Sequence, residues 1–286
     1  MSLYSRRRAV DRAFGWICGA ATLVGLAALV SILVKIAWDG APRLGPSFLT
    51  SALSHRPEET GVAPAVVGSI FVVLLTMAMA GPVGICSAVY MEELAPVRSR
   101  MTWLMRQATN NLAGVPSVVY GLIGLAVFVR WFGLGASVLS GALTLALVVL
   151  PMVVIVTQQA LRSVPSSYRE ASLALGATQW QAIRTVVLPA ASQGIWTGLL
   201  LAFSRAMGET APLMVVGAAY YVTTPPRGFG DSYTVLPMQI FNWSSDARKG
   251  FHSAAAAATL VLVLILLGMN TIVLARRNRT AKAFRS

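Results

Sequence analysis

Long apolar runs alternate with short polar stretches along almost the whole chain. A helix needs roughly 20 consecutive apolar residues to cross the hydrocarbon core of a bilayer, and several runs are at least that long. These runs lie at residues 15–38, 62–91, 111–132, 136–159, 190–221 and 251–275. The pattern therefore predicts an all-α integral membrane protein with six transmembrane helices. The polar stretches leave no room for a second folded unit, so residues 1–286 are predicted to form one membrane domain.

Pro82, Pro151 and Pro212 fall inside the second, fourth and fifth runs. A helix in a soluble protein would break there, whereas a membrane helix tolerates proline where neighbouring groups satisfy the freed carbonyl. The second and fifth runs are also longer than a straight span requires, which predicts tilt or kinks in both.

The composition supports a membrane protein. Hydrophobic residues make up 56% of the chain and charged residues 12%, with a mean hydropathy of +0.68, whereas soluble domains are about one quarter charged. The net charge of +13 would also suit a nucleic-acid-binding protein, but such a protein gathers its basic residues on a polar surface. Here they form short clusters between the apolar runs, so no nucleic-acid partner is expected.

The basic residues are shared unequally between the two sides of the predicted membrane domain. Fifteen lie on one side: Arg6, Arg7, Arg8, Arg12, Arg98, Arg100, Arg106, Arg162, Arg169, Arg184, Arg276, Arg277, Arg279, Lys282 and Arg285. Six lie on the other: Arg43, Arg56, Arg130, Arg227, Arg248 and Lys249. Because Lys and Arg accumulate in cytoplasmic loops, the excess predicts cytoplasmic N- and C-termini. The chain is thus expected to be a multi-pass protein of the bacterial inner membrane.

The first apolar run follows a cluster of arginines and so resembles a signal peptide. It continues to Trp38, which is too long for a signal sequence, and it has no convincing small-residue cleavage site. We therefore expect an uncleaved first span. Cys18 and Cys86 lie within apolar runs and are expected to be free, buried side chains rather than a disulfide or a metal site.

The loop at residues 160–189, on the predicted cytoplasmic side, carries helix signals. Pro165 and the serines after it favour a helix start, with Glu170 expected in the first helical turn. Gly176 favours a helix stop, because glycine adopts the left-handed conformation at little cost. A second short amphipathic run follows before Pro189 opens the fifth span. Two short helices are therefore predicted below the membrane.

This loop resembles the EAA loop of binding-protein-dependent ABC importers, which has the pattern E-A-A-x3-G-x9-I-x-L-P. The matching residues are Glu170, Ala171, Gly176, Leu188 and Pro189, with Ser172 and Val186 as mild departures. In that family the loop is the coupling helix that docks into a groove of the ATP-hydrolysing subunit. The resemblance assigns this contact to Glu170, Ala171 and Gly176, and it implies the architecture of a type I importer permease.

The chain has no G-x-x-x-x-G-K-[ST] loop of the kind that holds nucleotide phosphates. It is therefore expected to be a transport subunit rather than an enzyme, and to bind no cofactor of its own. ATP and Mg²⁺ would be used by a separate ATPase subunit. Because the chain has a single coupling loop, we also expect it to form one half of a two-fold transporter.

The fifth apolar run contains two charges, Arg205 and Glu209. A charge inside the bilayer costs at least ~2.5–3.5 kcal/mol on insertion scales, so Arg205 is expected to be paired and to face the protein interior or a wet cavity. Glu209 lies four residues on, within reach on the same helix face. One interpretation is a structural ion pair between helices. The other is an anion site on the translocation pathway, which would include Ser204 and Thr210, because a guanidinium donates paired hydrogen bonds to a tetrahedral oxyanion.

The stretch from Ser204 to Pro212 resembles the A-type permease family of phosphate importers, and so do residues 92–96, 111–121 and 239–243. The resemblance implies that the chain is the permease subunit of an ATP-driven phosphate importer. It also implies a set of partners: a homologous second permease, two ATPase subunits, a phosphate-binding protein outside the membrane, and membrane lipid.

Two alternatives remain open at the level of sequence. Any tetrahedral oxyanion satisfies an arginine, so a sulfate or molybdate importer of the same kind fits the same residues. A secondary anion carrier would work without ATP and usually shows an internal inverted repeat, which is not found here. A membrane enzyme is disfavoured, because no cluster of His, Cys or paired carboxylates lies within the apolar runs.

Overall fold

The computed structural model describes residues 3–96, 99–218 and 222–283, and of residues 3–6, 8–10 and 272–283 the backbone alone. These ranges are helical or irregular and contain no β-strand, so the predicted all-α architecture is confirmed. The helices are α1 (Leu3–Gly40), α2 (Pro46–Thr50), α3 (Ala63–Val89), α4 (Arg100–Ala113), α5 (Ser117–Gly124), α6 (Val138–Arg162), α7 (Ser166–Ala174), α8 (Gln179–Ala182), α9 (Leu188–Gly208), α10 (Ala211–Val216), α11 (Leu236–Ser244) and α12 (Lys249–Ala283). Tyr221, Arg98 and Arg285, which enter the predicted spans and charge count, lie outside the described residues.

Within the described ranges, five helical segments are long and apolar enough to cross a membrane. They are Asp11–Arg43, Ala63–Leu94, Val138–Arg162, Gln179–Gly208 and Lys249–Thr271. A sixth crossing is reached when the bent pair Arg100–Ala113 and Ser117–Trp131 is counted as one span. The first, second, fourth and sixth predicted spans each coincide with one of these helices.

The third predicted span, residues 111–132, is not one straight helix. α4 ends at Ala113, α5 begins at Ser117, and the two directions differ by 103°. Pro116 accounts for the break, because it lacks an N–H and disfavours the helical conformation of Val115. The helix beyond the break begins at Ser117 and continues through the π-helical turn Leu125–Trp131.

The kink expected in the fifth predicted span, residues 190–221, is a full break in the helix. α9 ends at Gly208, Glu209 has an extended backbone with ψ 120°, and α10 begins at Ala211. Pro212 lies in the first turn of α10, where a residue without an N–H breaks no intrahelical bond. Proline therefore begins a new helix here instead of kinking an existing one.

The interior of the bundle centres on α6, which lies between α3 and α9. Glycines bring these helices close together: a Cβ on Gly84 would lie 2.6 Å from Cγ1 of Val153, and a Cβ on Gly198 would lie 2.5 Å from Cγ2 of Val156. In a bilayer, helices associate largely through such close packing, because lipid is as apolar as their own side chains. The positions of α6 and α9 relative to each other are thus fixed by small residues.

The loop after α6 forms two short helices, as predicted. α7 follows Pro165, and Gly176 has φ +85°, the left-handed conformation expected of its helix stop. Glu170 is the fifth residue of α7, so its expected place in the first turn is wrong. From Gln179 onward, α8, the π-helical turn Ile183–Val187 and α9 form one uninterrupted helical segment.

Cys18 and Cys86 are free, as predicted, but both are exposed. The expected burial is wrong because the two residues lie on faces of α1 and α3 that this chain does not itself cover. A membrane helix exposes apolar residues to lipid or to a partner subunit, so an apolar sequence context does not imply burial within one chain.

Candidate functional site

The two charges of the fifth span form an ion pair at the end of α9. Arg205 Nε donates to Glu209 Oε1 at 3.2 Å. The Arg205 side chain is 46% exposed, whereas that of Glu209 is 17% exposed. The structure therefore brings the predicted pair together, with the carboxylate held inward and the guanidinium on the open side. The remaining N–H groups of the guanidinium can donate to an anion.

The ion pair lies at the break between α9 and α10, on an exposed surface of the chain. Beyond the extended Glu209, α10 packs against α5, and a Cβ on Gly121 would lie 2.9 Å from Cα of Pro212. Because α10 is held by this close contact, Glu209 is fixed between two packed helices. The long side chain of Arg205 reaches this carboxylate from the preceding helix, α9.

The other two predicted pathway residues lie on either side of the pair. Ser204 Oγ lies 3.3 Å from Oδ1 of Asn270 on α12, so this residue joins two helices within the membrane. Thr210 is half-buried and precedes the first residue of α10, and its side chain does not cap that helix. Asn270 was not predicted, since a single polar residue in an apolar run gives no indication of its partner.

The residues of the EAA pattern lie together on the surface of the α7–α8 knob (residues 166–182). Glu170, Ala171 and Gly176 are exposed, and Ser172 is half-buried. Leu188 and Pro189 instead lie in the helix that leads into the membrane. Several large apolar side chains on the same knob are also exposed, at Tyr168, Leu173, Leu175 and Trp180. Leu175 is 89% exposed, which is unusual for a leucine without a partner surface.

A group of ion pairs that was not predicted lies beside this knob. Glu93 accepts from Arg169 Nε at 3.0 Å and from Nη2 at 2.6 Å. Glu92 accepts from Arg162 Nε at 2.9 Å and from Nη2 at 2.6 Å, and lies 3.4 Å from Arg106. Both carboxylates end the second span, in the π-helical turn Tyr90–Leu94. We call this set the arginine–glutamate brace.

The brace holds the start of α7 against two spans at once. Arg169 also donates to the carbonyl of Val164 at 2.7 Å and to that of Leu161, near the end of α6, at 2.9 Å. The hydrogen bonds to Glu93 raise the pKa of Arg169 above its ordinary value, so this guanidinium stays charged. A cavity of about 680 Å³ lies beside these side chains. Since Arg169 directly precedes Glu170, the brace fixes the exposed EAA surface to α3 and α6.

One helical segment links the knob to the ion pair. It begins at Gln179 in the knob and ends at Gly208, so Arg205 lies about 39 Å along it at ~1.5 Å per residue. Among the residues that the structure describes, no group of His, Cys, Asp or Glu is placed to hold a metal ion. This segment thus joins an exposed, partly apolar knob to a half-exposed guanidinium.

The chain matches a family described as "binding-protein-dependent transport system inner membrane component" over residues 80–279. The chain belongs to this family. It is thus a multi-pass inner-membrane transport subunit of a system that includes a binding protein. The matched region contains both the EAA surface and the Arg205–Glu209 pair.

The chain is similar to bacterial proteins named as permeases, over most of their length. It is 33% identical to "Phosphate transport system permease protein PstA" of Xylella fastidiosa (strain Temecula1 / ATCC 700964), over 95% of each chain. It is 34% identical to "Probable ABC transporter permease protein YqgI" of Bacillus subtilis (strain 168), over 78% of this chain and 74% of that one.

Solved ABC transporters share the fold. A bacterial transporter involved in the import of the acidic polysaccharide alginate matches with a TM-score of 0.59 at 14% identity, over 93% of this chain and 98% of that one. An amino acid ABC transporter matches with a TM-score of 0.57 at 18% identity, over 75% and 92%. The predicted importer-permease architecture is confirmed by these likenesses.

Proposed function

We propose that this inner membrane component is the permease subunit of an ATP-driven importer of inorganic phosphate. Relatives named as phosphate transport permeases, at 33% identity over 95% of the chain, support phosphate as the substrate. The proposed assembly contains a homologous second permease, two ATPase subunits and an extracytoplasmic phosphate-binding protein, all within membrane lipid. In this assembly the chain itself binds no cofactor, and the ATPase subunits bind and use ATP and Mg²⁺.

The observation that carries the proposal is the half-exposed guanidinium of Arg205. A tetrahedral oxyanion is bound well by a planar donor that remains charged at every physiological pH. Glu209 holds this donor in place and competes for it at 3.2 Å, which weakens the grip on the anion. A transport site must attract its substrate but bind it weakly, because the substrate must enter and then leave.

The second part of the proposal concerns coupling to ATP. The exposed knob carries Glu170 and Gly176 beside the apolar Leu175, a combination suited to a groove in a partner protein. With both termini in the cytoplasm, as the charge distribution favours, this knob faces the compartment that contains ATP. Movement of an ATPase subunit would then reach Arg205 through the single helical segment that begins at Gln179.

Replacing Arg205 by Gln tests the anion site. We expect ATP-driven uptake of radiolabelled phosphate by the assembled transporter to fall about 10- to 100-fold, the value of a lost hydrogen bond to a charged group. Arg56→Gln provides a matched control, because Arg56 pairs with Glu59 on an exposed outer loop at 3.1 Å. Normal uptake in the Arg205 variant, with the complex assembled, would reduce the pair to a structural role.

The choice of anion is tested separately by competition. Unlabelled phosphate should inhibit uptake of the label, whereas sulfate and molybdate at the same concentration should not. Inhibition by sulfate, or uptake of labelled sulfate, would identify a different oxyanion importer with the same mechanism.

A further inference from the structure

A second polar feature lies on α9, between Arg205 and the knob. Side chains at four-residue intervals share one stripe of a helix, and here that stripe carries Gln193, Thr197, Leu201 and Arg205. A cavity of about 470 Å³ opens along it between α6 and α9. Gln159, near the end of α6, contributes a further amide to the same cavity. We call this space the α6–α9 groove.

The α6–α9 groove is lined by two side-chain amides, those of Gln159 and Gln193. Within the described part of the chain, the side chains of Gln159 and Gln193 make no hydrogen bond, and Gln159 is exposed. Thr197 Oγ1 donates to the Gln193 carbonyl at 2.8 Å, so its oxygen retains acceptor capacity. An amide that faces lipid without a partner is costly, so these groups require water or a polar solute.

The opposite side of α9 differs in chemistry at the same depth. There a cavity of about 660 Å³ is lined almost wholly by apolar side chains, including Trp196, Leu199 and Phe203. Trp196 is 68% exposed. α9 therefore has one face suited to lipid or an apolar helix and another suited to water, although both lie within the membrane-spanning segment.

The walls of the α6–α9 groove are held at a fixed distance. A Cβ on Gly194 would lie 2.8 Å from Cβ of Ala160, and a Cβ on Gly198 would lie 2.5 Å from Cγ2 of Val156. These contacts close the back of the groove and keep Gln159 beside the polar stripe. The groove is thus a defined space rather than a gap between loosely packed helices.

We propose that the α6–α9 groove is the exit route of the anion, a weak subsite between Arg205 and the cytoplasm. The inference rests on the proposed import of an oxyanion. Amide N–H groups of Gln159 and Gln193 would replace part of the hydration shell of the anion, with water held by Thr197. Neutral donors bind an oxyanion more weakly than a guanidinium does, so an anion leaving Arg205 is not trapped again.

Cysteine labelling of the assembled transporter tests this route. In a background with Cys18→Ser and Cys86→Ala, single variants Gln193→Cys and Thr197→Cys are compared with Trp196→Cys. Inverted membrane vesicles are treated with a negatively charged, membrane-impermeant methanethiosulfonate, and denatured samples show that each thiol is present. We expect the groove cysteines to react about tenfold faster than Trp196→Cys, since the thiolate forms only where water is present.

Two further measurements separate a water-filled route from mere exposure. Excess phosphate should slow labelling of Gln193→Cys, and labelling should block ATP-driven uptake because it adds a negative charge to the groove. Gln193→Asp should reduce uptake in the same way, and Gln193→Asn, which keeps an amide on a shorter side chain, should reduce it less. Assembly is monitored by co-purification of the ATPase.

The outcomes distinguish failure of the route from failure of the proposed function. If the complex imports phosphate but the groove cysteines label no faster than Trp196→Cys, a partner subunit or lipid covers the stripe and the exit route is wrong. Normal uptake by labelled Gln193→Cys and by Gln193→Asp leads to the same conclusion. If the unmodified complex transports no phosphate at all, the proposed function fails instead, whatever the labelling pattern.

Discussion

At the scale of single residues, glycines decide how closely the helices approach. Gly198 on α9 is packed so tightly against Val156 that even a methyl group would overlap its side chain. Gly268 on α12 is also helical, but a Cβ there would meet nothing within 4 Å. The same residue type therefore has a packing role at one position and none at the other.

Gly198→Ala should destabilise the protein by about 1–3 kcal/mol, the usual cost of forcing extra volume into a packed interior. Gly268→Ala should leave stability unchanged or raise it by up to about 1 kcal/mol, because alanine favours a helix. Thermal unfolding of the purified complex in detergent measures both. Val156→Ala should recover part of the loss in the Gly198 variant, and an unaltered unfolding temperature in Gly198→Ala would contradict the close contact.

Gly176 has a different requirement, because its φ of +85° lies in the left-handed region. A β-branched residue in this conformation costs at least ~1–2 kcal/mol. The backbone would relieve this cost by leaving the left-handed region, which would change the direction of the chain between α7 and α8. We therefore expect Gly176→Val to reduce ATP-driven uptake and co-purification of the ATPase, and Gly176→Asn to retain both. Gly230→Val is the control, since Gly230 lies in an outer loop with open space around its Cα. Unchanged co-purification would count against docking at the knob.

At the scale of secondary-structure elements, the arginine–glutamate brace makes α7 part of the membrane bundle. Glu93 is 7% exposed and Arg169 is 25% exposed, so this pair is shielded from water, whereas Arg162 is 56% exposed. Loss of the Arg169 guanidinium would remove the donors of a buried carboxylate and of the Val164 carbonyl, whereas the Leu161 carbonyl would keep the N–H of Val164 at 3.2 Å. The knob would then move separately from α3 and α6.

Arg169→Gln should lower the amount of phosphate transported per ATP hydrolysed, because force applied at Glu170 would no longer reach the spans. A loss of stability of about 1–3 kcal/mol is also expected from the unpaired carboxylate. Arg169→Lys should recover part of the coupling, since lysine keeps the charge but not the forked geometry. The ratio of uptake to ATPase activity is measured in proteoliposomes. A variant that is less stable but keeps the wild-type ratio would make the brace purely structural.

The elements show which parts of the structure could be predicted from sequence. Long apolar runs predict spans because their length alone must match the bilayer. Helix start and stop residues such as Pro165 and Gly176 predicted the two short helices. The break at Pro116 was missed, and the break at Glu209 was expected only as a kink, because hydropathy averaged over a span does not sense a local change of backbone direction. The brace was missed because Glu93 and Arg169 are distant in sequence. Opposite charges in two loops on the same side were the available signal.

At the scale of the whole molecule, the chain leaves much apolar surface uncovered. The membrane-crossing part of α1 has none of its most apolar window buried, and α1 contacts α12 at only part of its length. The apolar cavity around Trp196 is open as well. Arg205 and the α6–α9 groove are likewise open to one side. These open surfaces fit the proposed assembly, in which this chain provides one wall of the pathway and a second permease provides the other.

This incompleteness predicts that the chain alone transports nothing. Proteoliposomes containing only this subunit should show no phosphate flux above empty liposomes, since a half-open wall neither encloses an anion nor alternates its access. The complete transporter with its binding protein should take up phosphate only when ATP is present in the compartment that faces the knob. Flux from the isolated chain, or uptake by the complex without ATP, would favour a secondary carrier. Because both preparations have the same lipid composition, the difference in phosphate flux between them measures the contribution of the partner permease and the ATPase subunits.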